Sequence, residues 1–107
     1  NASGTTTIRH RLATSNVVTF TANDTTPSVK DANIFKVPGT WTAGNNVTAL
    51  DDGVAGQVVR IIGGDSDCVF VDDGNLVLAG NWTASANATL SLVFDGTNWY
   101  ELGRSAN

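Results

Sequence analysis

The stretch Thr89-Leu90-Ser91-Leu92-Val93-Phe94-Asp95-Gly96-Thr97-Asn98-Trp99-Tyr100-Glu101-Leu102 decides the fold class. Leu90, Leu92 and Phe94 alternate with Thr89 and Ser91, the period-two pattern of a half-buried strand. Asp95-Gly96 supplies turn residues that tolerate positive φ, so Trp99 to Leu102 is expected to return as the hairpin partner. Trp99 and Tyr100 then project to opposite faces, one ring toward the core and the other toward solvent or a partner subunit.

Upstream of that hairpin, short β-branched runs alternate with clusters of Gly, Asp and Asn, the rhythm of strands and tight turns. Gln57 to Ile62, Cys68 to Asp72 and Leu76 to Leu78 read as strands, and neighbours this close in sequence are expected to pair antiparallel. Val17 to Thr21 and Ile34 to Val37 are strand candidates, punctuated by Pro27 and Pro38. In the Gln57 to Ile62 strand, Val59 and Ile61 oppose Val58 and Ile62. A strand apolar on both faces must be covered on both, by a second sheet or by another subunit.

One echo recurs. Gly39-Thr40-Trp41-Thr42-Ala43, followed by Asn46 and Thr48, matches Gly80-Asn81-Trp82-Thr83-Ala84, followed by Asn87 and Thr89. Two copies are too few to close a solenoid core, so they read as paired elements in facing sheets of a sandwich. The expectation is an all-β fold, an antiparallel β-sandwich or jelly roll, in a single domain over residues 17–107, with residues 1–16 as a leader or linker. Within that leader, Ile8 to Ala13 is long enough for one helical turn only.

Composition restricts the partners. The 107 residues carry six Lys and Arg against ten Asp and Glu, a formal charge of −4, and the four arginines (Arg9, Arg11, Arg60, Arg104) form no single run. Nucleic acid, whose binding is driven by clustered cations, is not an expected partner. An acidic chain also avoids anionic lipid, and no apolar run approaches the roughly 18 to 20 residues that span a bilayer, so no membrane insertion is expected. Residues 1–7 are small and polar and show no secretory signal pattern. Cys68 is the lone cysteine and reads as a small buried hydrophobe in a strand.

Candidate chemistry starts with the carboxylates, because a glycosidase needs two across a bond. Asp52-Gly53, Asp73-Gly74 and Asp95-Gly96 are turn dipeptides, where the Asp side chain bonds nearby backbone, so their number is no argument for hydrolysis. Asp65-Ser66-Asp67 after two glycines makes Asp65 and Asp67 a candidate Ca²⁺ pair. The helix-flanked calcium loop and its bidentate Glu are missing, so no metal and no cofactor are expected. His10, the single histidine, lies between Arg9 and Arg11 with no nucleophile motif beside it. The reading is a protein without catalytic activity.

Trp41 and Trp82 sit among Gly, Thr and Asn, so they are candidate stacking platforms for sugar rings, with Asn46 and Asn87 as hydrogen-bonding neighbours. Core packing is the competing assignment for both rings. Five Asn-x-Ser/Thr triplets, at Asn1, Asn23, Asn46, Asn81 and Asn87, follow from a Thr- and Asn-rich composition and are assigned no glycan.

Four segments carry a resemblance: Thr26-Pro27-Ser28-Val29; Ala32-Asn33-Ile34-Phe35-Lys36; Gly56-Gln57-Val58-Val59-Arg60-Ile61-Ile62-Gly63-Gly64-Asp65-Ser66; and Leu92 to Leu102 followed by Gly103-Arg104-Ser105. Over residues 17 to 105 their order and spacing resemble the C-terminal β-sandwich domain of bacteriophage tailspikes and tail fibres. The final hairpin is the most specific part, although Asp-Gly-Thr-Asn-Trp recurs in other virion and surface β-domains. That resemblance implies a virion tail protein outside the cell, a homotrimer locked together by this domain, and contact with a host surface polysaccharide. The enzymatic β-helix that such domains often follow is not present in these residues, so its activity is not carried over. The alternatives are a stand-alone carbohydrate-binding module using Trp41 and Trp82, and a structural virion decoration domain.

Overall fold

The structure is a computed structural model that describes residues 16–107. These residues form eight strands and no helix: β1 (Val17–Thr19), β2 (Ile34–Lys36), β3 (Val58–Ile62), β4 (Val69–Phe70), β5 (Leu76–Val77), β6 (Trp82–Thr83), β7 (Thr89–Phe94) and β8 (Trp99–Ser105). Six strands make one sheet in the order β1-β2-β3-β7-β8-β5, and β4 pairs with β6 in a second. The all-β, two-sheet sandwich expected from the strand rhythm is what forms. Ile8 to Ala13 and His10 lie outside the described residues.

Pairing directions differ from the expectation. Only β7 and β8 form an antiparallel hairpin of consecutive strands, while β1-β2, β2-β3 and β5-β8 are parallel. Two isolated bridges, Ser28 with Asp51 and Val47 with Phe70, are parallel as well. Loop length is the physical reason. A parallel return needs a crossover of about a dozen residues or more, and the Pro-punctuated segments 20–33 and 37–57 supply it. Leu76 joins Trp99 at the same sequence spacing that separates Ser28 from Asp51 and Val47 from Phe70. The chain therefore winds as a short coil before the hairpin closes it.

The crossing between the sheets is set at Gly63-Gly64-Asp65. Gly63 donates its N–H to the Ala88 carbonyl at 2.7 Å, and the N–H groups of Gly64 and Asp65 both donate to the Ala84 carbonyl at 2.9 Å. A Cβ on Gly63 would run into the Ala84 and Ser85 carbonyls, and one on Gly64 into the Val37 carbonyl. Glycine is needed here because backbones meet, since neither residue has positive φ. This contact turns the chain out of β3 into the small sheet, and so prevents β3 and β4 from pairing as a hairpin.

The core lies between the sheets. Phe35, Val59, Ile61, Leu90, Leu92, Leu76 and Trp99 line it from the large sheet, and Phe70 and Trp82 from the small one. Phe20 stacks on Phe35 and Phe94 on Trp99, with centroids 5.0 and 4.7 Å apart, and Phe70 meets Trp82 edge to face at 5.2 Å. No polar or charged side chain is buried among the described residues. Gly64→Ala is therefore expected to destabilise the fold by about 3 kcal/mol or more, read as a lower urea midpoint with unchanged slope. Gly44→Ala, where a Cβ meets nothing within 4 Å and only the positive φ of 95° is strained, is expected to cost less.

Candidate functional site

Both candidate sugar platforms are core residues. Trp41 and Trp82 are 4% and 3% exposed, so neither ring offers a face to a saccharide. Trp82 is held by Phe70. The indole Nε1 of Trp41 donates to the Asn45 carbonyl at 2.7 Å, satisfying its one polar group within the protein. The Asn- and Thr-rich setting reflects turn chemistry around each ring. Asn87 occupies the left-handed region at φ 73°, in the turn where Ala88 N–H donates to Ser85 carbonyl at 3.0 Å. Asn46 is half-buried next to the Val47 bridge.

The echo that joins these tryptophans does not place them equivalently. Trp82 lies in β6, whereas Trp41 belongs to no strand. Thr42 opens a turn immediately after Trp41, and the corresponding turn after Trp82 opens only at Ser85. The two copies instead approach one loop from two sides: Trp41 donates its backbone N–H to Asp65 Oδ2 at 2.9 Å, and Ala84 accepts from the Gly64 and Asp65 amides.

Asp65 is a loop organiser. Its Oδ1 accepts the Asp67 N–H at 2.9 Å while Oδ2 takes the Trp41 N–H, and these two backbone bonds, that from Asp67 the stronger, hold its carboxyl below the ordinary value of 3.8. Asp67 adds no second inward-facing ligand: it is exposed, and no group of three His, Cys, Asp or Glu gathers to hold a metal among the described residues. The other carboxylates are used in the same way. Asp95 Oδ1 accepts from Asn98 and Thr97, both at 2.8 Å, which lowers its pKa. Asp72 accepts from Leu78, and Asp73 from Gly74. Gly74 and Gly96 take positive φ as the turn reading requires, but at Asp52-Gly53 the left-handed residue is Asp52, at φ 67°. Gly53 is there for space, since a Cβ would strike the rings of Trp99 and Phe94.

Cys68 is fully buried, and burial, followed by the nearby Asp65 charge, pushes its thiol up to about 12. A thiol so rarely ionised is a poor nucleophile.

The surface that stands out is the outer face of the six-stranded sheet. Residues paired across neighbouring strands share a face. By that rule Val58 on β3, Val93 on β7, Tyr100 on β8 and Val77 on β5 form one row, because they are register partners in turn. Trp99 and Leu76, one residue away, are buried beneath, so the row points away from the core. Val77 is 42% and Tyr100 38% exposed, with Val58 and Val93 half-buried. A register shift beside Ser91 and Leu92 leaves Leu102 as the extra residue of β8, and its side chain is 59% exposed beside the row. Ile34 and Ile62 extend the same face on β2 and β3, half-buried, with Arg60 exposed between Val58 and Ile62.

The sequence named Val58, Ile62 and Tyr100 but missed Val77, Val93 and Leu102. Strand alternation alone marks Val93, whereas Val77 joins the row only through a parallel pairing that no local signal announces. Glu101 and Arg104, whose pairing the sequence did not announce, form a two-bond ion pair at 2.8 Å. Arg104 further donates to the carbonyls of Gly80 and Asn81, tying β8 to the start of β6.

Two outcomes follow from this geometry. Trp82→Ala is expected to destabilise the fold by about 3 to 5 kcal/mol in chemical denaturation, the cost of an emptied core site. Because the Asp65 pKa is depressed on folding, its contribution is present above its unfolded value near 3.8 and lost as pH falls through the lower folded value. Asp65→Asn is accordingly expected to flatten the acid limb of a stability-against-pH curve and to lower stability at neutral pH. No family model matches the chain, and comparison with curated proteins and with solved structures gave no match.

Proposed function

We propose that this domain is a non-catalytic assembly module of the bacteriophage tailspike or tail fibre type. It associates with copies of itself as a homotrimer on the virion and, in that state, contacts polysaccharide on the host surface. The observation that carries the reading is the apolar row Val58, Val93, Tyr100 and Val77 on the outer sheet face, joined by Leu102. A single soluble β-domain gains by covering such a patch, and a copy of the same chain is the partner always present at matching concentration.

The absence of catalysis in this proposal has its own support. Asp65, Asp72, Asp73 and Asp95 spend carboxylate oxygens on backbone N–H groups of turns and neighbouring segments. A hydrolytic pair needs one carboxyl raised by an apolar pocket, and the shifts at Asp65, Asp95 and Glu101 are all downward. With both tryptophans inside the core, polysaccharide contact in this reading falls to polar surface residues or to a groove formed between subunits.

The test is the solution mass, by light scattering coupled to size exclusion at micromolar concentration. A mass near three chains is expected, and a mass near one chain at that concentration contradicts the reading.

A further inference from the structure

We infer that the outer face of the six-stranded sheet docks on the acidic surface of a second copy of this chain, with Arg60 and Lys36 as its charged contacts. This rests on the assembly reading above and assigns that assembly its surface.

Residues 16–107 contain ten carboxylates and four bases, so most of the molecule's surface is negative. On the outward-facing strand positions the sign reverses. Lys36 on β2 and Arg60 on β3 face outward with Ile62 and Ile34, their register neighbours, and no outward strand position holds a carboxylate. Glu101 and Arg104 are register partners of the buried Leu92 and Leu90, so they lie on the other face, where they pair with each other. That is the sole ion pair among the described residues, which leaves Lys36 and Arg60 exposed with uncompensated charge. Across the strands from Arg60 stand Ser91 and then Gly103, small residues that leave its guanidinium room to receive a carboxylate. Asp95, in the turn between β7 and β8, interacts with the Tyr100 side chain and is not one of the outward strand positions.

Three occupants are conceivable, and charge and chemistry choose among them. Residues 1–15 contain Arg9, His10 and Arg11 and no carboxylate, the same sign as the face. An anionic polysaccharide fits the cations but gains nothing from Val58, Val93, Val77 and Leu102, which offer its hydroxyls no hydrogen bond. A second copy supplies both the negative surface and the apolar contact. Because the face is cationic and the surface it meets is acidic, the contact is head to tail: one patch of each chain meets a different patch of the next. A heterologous contact of that kind makes a ring, such as the proposed trimer, when the rotation between successive copies closes, and an open filament when it does not.

The experiment compares the full chain with the double variant Lys36→Glu/Arg60→Glu and the control Lys30→Glu, which changes an exposed lysine away from the strands. Each is followed by light scattering across a dilution series, with circular dichroism to verify folding. The expected result is an oligomeric wild type and control, and a natively folded double variant whose association is weaker by about tenfold or more. If the double variant misfolds, Lys36→Glu alone, at the exposed end of β2, is expected to weaken assembly in the same direction. A folded variant that assembles like the wild type overturns this surface assignment while the assembly reading stands. A monomeric wild type overturns both. A monomeric wild type that binds heparin, with binding lost in the double variant, makes the face a polysaccharide site and equally overturns the second-copy assignment.

Discussion

Backbone contact at Gly63-Gly64-Asp65 is the constraint on which the rest of the structure depends. Within three residues the chain receives the Ala84 and Ala88 carbonyls as acceptors, passes the Val37 carbonyl at a distance no side chain tolerates, and presents the Asp65 carboxylate to Trp41. Those contacts fasten the end of β3 to the segments that follow β2 and β6. Trp41 is anchored to this crossing by its own backbone N–H and Trp82 through Ala84, two residues further on, and both rings lie in the core. The same anchoring uses the polar atoms of the loop, which is why a stretch that reads as a cation-binding loop has its best carboxylate already occupied.

How much of this was legible can be argued from particular residues. β7 matched its expected bounds, Thr89 to Phe94, because six residues of strict alternation followed by Asp-Gly carry the signal locally. β6 was missed because a two-residue strand, Trp82–Thr83, has no periodicity to read. The parallel ladders were invisible for a different reason. Their partners are far apart in sequence, and a preference for antiparallel pairing of neighbours is the only guide without coordinates. For Trp41 and Trp82 the sequence left core packing and a stacking platform side by side, because Asn, Thr and Gly mark turns, and a turn beside a ring says nothing about which way the ring points; both rings pack in the core. Alternation at Trp99 and Tyr100 was a sound guide, with Trp99 fully buried and Tyr100 exposed.

Among the described residues the interior is wholly apolar, Asp65, Asp72, Asp73 and Asp95 accept backbone N–H groups, and the Cys68 thiol is buried. The outer sheet face gathers the aliphatic side chains of Val58, Val77 and Val93 with two cations, Lys36 and Arg60, and the proposed assembly uses that face. β3 is apolar toward both sides, fully buried toward the core at Val59 and Ile61 and half-buried on the outer face at Val58 and Ile62. In the proposed assembly a neighbouring subunit completes the burial of that outer side.

Hydroxyl-radical footprinting of the full chain, at a dilute and a concentrated condition, addresses the central claim most directly. The account predicts that labelling of Tyr100 and Leu102 falls on concentration more than that of Val54, 68% exposed on a loop outside the strands. Equal labelling of Tyr100 and Leu102 in both conditions would contradict it.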